Sequence, residues 1–173
     1  MLASVTPSPW STVLWPQFGA AIDMLENTVT ACPDGLWDDG AQQPEFWSLV
    51  YHTLFFLDLY LSGSVAGFAP PAPFTLAELD PAGVRPDRPY SKAELRVYLD
   101  HARTKCRSTL AALTDATAIE RSGIPWFDGS TAELHLYNMR HVQHHAAQLN
   151  LILRQKTDSA PAWVARTRVD RTG

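Results

Sequence analysis

Apolar residues recur at three- and four-residue steps in four stretches of the chain, and no alternating run long enough for a β-strand interrupts them. In the first stretch Leu14, Phe18, Ile22, Leu25 and Val29 share one face, which predicts a helix from about Pro9 to Ala31 with Ser8 as its cap. Pro16 is expected to kink that helix or delay its start, since proline cannot donate the helical hydrogen bond. Cys32-Pro33-Asp34-Gly35 ends it. A second helix is predicted from about Pro44 to Leu61, opening with proline and glutamate where a helix N-terminus favours both. Ser91-Lys92-Ala93-Glu94 has capping-box spacing and begins a third helix, continued by Leu95, Leu99, Ala102, Cys106, Leu110 and Leu113. Ser130-Thr131-Ala132-Glu133 repeats that signature and begins a fourth, which reaches about Gln155.

The connections limit how these helices assemble. Helices one and two are joined by a link of ordinary length and are expected to be antiparallel neighbours. Gly63 to Pro89 is rich in proline, glycine and alanine; Thr75-Leu76-Ala77-Glu78 there can cap one short turn. Such a crossover of roughly 25 residues can extend some 80 Å, against a helix-bundle length of about 28 Å, so helices two and three can run parallel. The expected fold is all-α, a four-helix bundle with a long crossover between helices two and three, formed as one domain over 1–173 with the bundle at about 9–155. In the tail from Lys156 to Gly173, Trp163-Val164 is expected to dock on the bundle, with the polar residues after it fraying.

Composition removes several functional classes. The 173 residues are 46% hydrophobic and 18% charged, enough for one substantial core. Net charge is −4 and the Lys and Arg residues are scattered, so the electrostatic footprint of a nucleic-acid binder is missing. The start of the chain has no basic region followed by an apolar core, and no apolar run approaches the ~18 residues of a membrane span. A cytoplasmic protein is expected. Cys32 and Cys106 cannot build a disulfide framework and are read as packing residues; Cys106 lies on a core stripe and is not proposed as a nucleophile.

The chemistry sits where the apolar stripe of the fourth helix turns polar. With ~100° per residue, Leu134, Asn138, His145, Gln148 and Ile152 all fall within about 60° of His141, so two imidazoles and two amides lie in an inward stripe. Buried polar groups left unsatisfied cost about 1–3 kcal/mol each, and a metal ion held by His141 and His145 removes that cost. His52 on the second helix, flanked on its face by Leu49, Phe56 and Leu59, is the strongest candidate for a third ligand. Three neutral imidazoles suit Zn²⁺ or Ni²⁺ better than oxygen-seeking ions and leave a coordination position open. Asn138, Gln148 and Ser48 are candidates to orient the ligands, water or substrate. Tyr98 and His101 on the third helix are candidates for the pocket mouth, although Tyr98 also fits the core and His101 the surface. His144 and His135 fall off the His141 face and are placed at an edge or in solvent. Glu45 is too far along its helix to join the ligands, and Asp58 reads as a charge on a helix flank.

Two segments carry a family resemblance. Leu136-Tyr137-Asn138-Met139-Arg140-His141-Val142-Gln143-His144-His145-Ala146-Ala147-Gln148-Leu149 resembles the last-helix signature of the DinB-like superfamily, and Val50-Tyr51-His52-Thr53-Leu54 resembles its second-helix histidine motif. Helix order, crossover and length agree over roughly residues 9 to 155. The resemblance implies a divalent metal held by His52, His141 and His145. It also implies three functional possibilities: a transferase that uses a low-molecular-weight thiol such as mycothiol, bacillithiol or glutathione on a small electrophile, a metal-dependent hydrolase, or a non-catalytic metal-binding stress or sensing protein. No DNA partner is implied. A homodimer is, and Trp10, Trp15, Trp47 and Trp126 are expected to supply part of its interface.

Overall fold

The computed structural model describes residues 9–167. Six α-helices occur among them: α1 (Pro9–Ala31), α2 (Asp34–Trp37), α3 (Phe46–Ser62), α4 (Lys92–Ala112), α5 (Asp115–Ile119) and α6 (Thr131–Thr157), with a 3-10 turn at Ala77–Leu79 between α3 and α4. No strand is present among the described residues, only two isolated bridges, Ser64 with Gly123 and Arg121 with Ser130. No helix of the described residues is long and apolar enough to cross a membrane.

Both capping boxes form. Ser91 accepts from the Glu94 backbone N–H and Ser130 from that of Glu133, while each glutamate accepts from the cap residue's own N–H. α1 begins at Pro9 and passes through Pro16, so that proline does not delay its start. α3 begins two residues later than the pattern suggests, because Glu45 holds an extended backbone and serves as the N-cap. It ends at Gly63, whose φ of 71° is the left-handed conformation that lets the chain turn off a helix. α6 runs two residues past Gln155 and is capped by Asp158, also left-handed, whose N–H donates to the Arg154 carbonyl.

Each of the four long helices packs on two others: α1 and α3 both lie against α4 and α6. Helices α1 and α3 are therefore diagonal across the core, not the neighbours that their short link suggests. The link contains α2, whose Trp37 packs on Phe46 and donates its indole N–H to the Tyr90 carbonyl. That turn carries the chain across the end of the helices. Lys92 at the start of α4 donates to the Cys32 carbonyl beyond the end of α1, so these two run antiparallel. Tyr98 and Lys105 both reach Asp58, the first from before it and the second from after it, and Lys105 reaches Ser62 as well. Helices α3 and α4 therefore run parallel, which the long crossover permits. The shared core includes Phe18, Ile22, Leu25, Leu54, Leu57, Leu95, Leu99, Leu134 and Leu149.

Two polar residues are placed differently from the sequence expectation. Asp58 is a buried ion pair with Lys105 rather than a flank charge, because α3 is covered nearly all round: 13 of its 17 residues are buried. His135 is also buried, 3% exposed, and neither ring nitrogen has a partner. α6 is packed by α1, α3 and the unforeseen α5, so its N-terminal half has less open surface than a two-neighbour helical wheel allows.

The tail docks more fully than expected. Val164 donates its N–H to the Met24 sulfur, and buried Thr167 donates its N–H to the Pro16 carbonyl and lies against Gly19, where no side chain would fit. Trp163 remains exposed, and the tail beyond 167 lies outside the described residues.

Candidate metal centre

Helices α3 and α6 cross where His52 meets His141 and His145. Their antiparallel packing is fixed beside the site by Asn138, which is fully buried and donates its amide N–H to the Leu57 carbonyl at 3.0 Å. One turn further along α6 from Asn138 lies His141, and one turn beyond that His145, at the four-residue spacing that puts both rings on one side. The Nε2 atom of His141 is 3.4 Å from that of His52 and 3.1 Å from that of His145. Donor atoms of the three rings all lie within 4.8 Å of one another, and all three residues are half-buried.

Hydrogen bonds on the far side of two rings decide which nitrogens point inward as acceptors. His52 Nδ1 is 2.7 Å from Glu78 Oε2, and His145 Nδ1 is 2.7 Å from Gln148 Oε1. A carboxylate and an amide oxygen can only accept, so Nδ1 carries the proton on both rings and their Nε2 lone pairs face His141. Burial, reinforced by the neighbouring His145, His52 and His144, pushes the His141 imidazole down to about 3, so this ring is neutral near pH 7. His145 is lowered too, first by burial. The result is a convergence of three imidazole Nε2 atoms.

These donors fit a divalent transition metal. Three nitrogens at the usual 2.0–2.1 Å from a tetrahedral zinc ion stand about 3.3–3.4 Å apart, close to the two spacings that involve His141. Among the described residues no fourth His, Cys, Asp or Glu donor joins them. The buried Nδ1 of His141 has no partner, so the protein holds two of the three rings from behind and leaves the third unheld.

Aromatic rings form one wall. Phe56 lies 4.8 Å from the His52 ring and 5.8 Å from that of His141, and Tyr60 lies 6.1 Å from His141 and 5.3 Å from Tyr137. A shallow hollow of about 500 Å³ runs along α6 past Tyr137, Arg140, His141 and His144. A larger cleft, about 1240 Å³, lies between α1, α4 and the C-terminal segment and contains none of the three histidines. Its charges are mostly satisfied internally, since Arg103 reaches both Asp23 and Glu26.

The remaining candidates separate. Gln148 touches His145, and Asn138 braces the helices without hydrogen-bonding a ligand. Ser48 is half-buried and bonds none of the three rings. Tyr98 and His101 do not line this site: the Tyr98 hydroxyl donates to Asp58, and His101 stands 3.7 Å from the same carboxylate. The third predicted helix turns these side chains toward the buried acid of α3, whose role the helical wheel missed. His144 is exposed, and Glu45 caps α3 and pairs with Arg85. Neither cysteine is suited to be a nucleophile, because burial raises both thiols, Cys32 to about 11. Glu78 was visible in the sequence only as part of a capping pattern in the crossover; its contact with His52 spans 26 residues, beyond the reach of any local periodicity.

The family model of the DinB superfamily matches residues 17–149. No curated protein and no solved structure matches the chain.

Proposed function

The chain belongs to the DinB superfamily, and from that membership together with the three converging histidines we propose that it is a divalent-metal protein with zinc or nickel held by His52, His141 and His145. The observation that carries this reading is the inward set of Nε2 atoms, two of them turned inward by Glu78 and Gln148. Without a cation, a single proton on His141 Nε2 has to serve the two Nε2 lone pairs that face it. The four long helices are read as a four-helix bundle with a long crossover, in one domain, an architecture that builds metal sites from facing helices.

The reaction we propose for the site is the transfer of a low-molecular-weight thiol to a small electrophile. A divalent ion with an open position lowers the pKa of a thiol or water that binds to it. With a chlorinated electrophile the carbon–sulfur bond would form as the carbon–chlorine bond breaks, the thiol proton leaving with chloride; with a maleyl-type electrophile the sulfur would add to one carbon of the C=C bond as its π bond breaks, the thiol proton going to the other carbon. Phe56, Tyr60 and Tyr137 supply an apolar wall for the electrophile and keep water from that side. The α6 hollow, with Arg140 and His144, offers polar groups to the rest of the thiol compound.

Elemental analysis of untagged protein should find about one zinc or nickel ion per chain. In the cobalt-substituted protein, glutathione, mycothiol and bacillithiol added separately should reveal one thiol that produces a sulfur-to-metal charge-transfer band. The same thiol should support turnover of a chlorinated or maleyl-type electrophile, and His141→Ala should abolish both. A protein that takes up no metal contradicts the whole reading. Ester or amide cleavage without a thiol band replaces transferase by hydrolase, and silence in every assay with a large fall in melting temperature on chelation leaves a structural or sensing role.

A further inference from the structure

The crossover between α3 and α4 has no part in the helix packing that joins His52 to His141 and His145, yet it touches the site. Its 3-10 turn at Ala77–Leu79 carries Glu78, and Glu78 Oε2 stands 2.7 Å from His52 Nδ1. The turn is anchored independently of that contact. Phe74 is buried and stacks on Tyr98 at 4.4 Å and on Tyr51 at 6.0 Å, Tyr51 donates its hydroxyl to the Thr75 carbonyl at 2.7 Å, and Leu79 packs against the core. Tyr51 and His52 are adjacent on α3, so one residue fixes the turn and the next receives its carboxylate. The His52 side chain is 34% exposed, and packing alone leaves its ring room to rotate or to exchange tautomer.

We propose that Glu78 is a positioning residue: by accepting the His52 Nδ1–H it holds the Nε2 lone pair toward His141 and His145, and so brings the crossover into the metal centre as a third supporting element beside α3 and α6. This rests on the metal-binding reading above. Ligating histidines commonly give their outer N–H to a carboxylate or carbonyl, which fixes the ring and makes it a better donor. Here both outer acceptors are oxygens, the Glu78 carboxylate on His52 and the Gln148 amide on His145.

The test uses the full chain and two readouts: zinc affinity by competition with a chromogenic chelator, and ring ¹⁵N chemical shifts of His52 in the metal-free protein. Glu78→Ala should weaken zinc binding by about 10- to 100-fold and shift His52 away from the Nδ1–H tautomer. Glu78→Gln keeps an oxygen acceptor and should restore most of the affinity and the tautomer. Asp80→Asn removes a negative charge two residues away, and should leave affinity within about twofold because an exposed charge is screened. Wild-type affinity and an unchanged His52 ring in Glu78→Ala would overturn the proposal. Equal loss in Asp80→Asn, or no rescue by Glu78→Gln, would do so as well, by assigning the effect to charge rather than to the hydrogen bond. If the wild-type protein binds no zinc, the metal reading fails while the ¹⁵N comparison still tests whether Glu78 sets the His52 tautomer.

Discussion

Single histidines differ sharply in their surroundings. His52, His141 and His145 converge at their Nε2 atoms, whereas His144 is exposed and outside the cluster. His52→Ala, His141→Ala and His145→Ala should each lose most of the metal affinity by titration with zinc, and His144→Ala should keep it, with a stability change below about 0.5 kcal/mol. An essential His144 with a dispensable His145 would contradict the geometry. His135 carries a different consequence. Burial lowers its pKa, so the folded chain holds it neutral while the unfolded chain protonates it below about 6.5. The unfolded state then binds the extra proton, and stability that is fully present above pH 6.5 falls as the pH drops below it. His141 and His145 act in the same direction in the metal-free protein. Replacing His135 by Leu should reduce the acid-side slope of unfolding free energy by up to about 1.4 kcal/mol per pH unit, measured by urea denaturation of metal-free protein between pH 6.5 and 5. An unchanged slope would mean that His135 protonates freely in the folded chain.

At the scale of elements, local signals and long-range ones separate cleanly. The starts of α4 and α6 were legible because Ser91 with Glu94 and Ser130 with Glu133 are capping pairs three residues apart, and the histidine stripe of α6 was legible because its spacing is helical. α2 and α5, four and five residues long, are too short to show a period, and the diagonal placement of α1 and α3 depends on α2. Asp58 and Glu78 escaped for the same reason. Each is defined by partners 40 to 47 and 26 residues away respectively, across chain geometry that periodicity does not report. The Asp58–Lys105 pair joins the two parallel helices, and Asp58→Ala would leave the Tyr98 hydroxyl and the Lys105 ammonium without their shared acceptor. The expected cost is about 2–3 kcal/mol in chemical denaturation, below the ~3–5 of a wholly buried pair because Lys105 can turn to water. Lys105→Met should cost at least as much, since it strands a carboxylate that is only 1% exposed. A cost below about 0.5 kcal/mol for both would show that the pair is not holding α3 to α4.

For the whole molecule, the outer surface and the metal centre make separate claims. Of the tryptophans expected at an interface, Trp47 is not available: it is 2% exposed, packed edge-on against Tyr90 with Arg85 over its ring, because the crossover covers that end of α3. Trp126 is 52% exposed beside the aromatic wall of the site, so a homodimer that forms should protect Trp126 fluorescence from quenching and show twice the chain mass by light scattering. Monomer mass at micromolar concentration would remove the dimer proposal without touching the metal. The metal bears on the fold through topology. His52 and the His141–His145 pair belong to helices separated by 89 residues of chain at their nearest contact, so one ion would tie α3 to α6 only in the folded state. Binding of that kind stabilises by mass action, about 2.7 kcal/mol at a free-ion concentration 100 times the dissociation constant. In a chain of this size that corresponds to a rise of roughly 5–10 °C in melting temperature. Titration of metal-free protein with zinc or nickel, followed by calorimetry, should give that rise, and His141→Ala should flatten it. A melting temperature indifferent to both ions would show that the three imidazoles do not bind them in the folded chain.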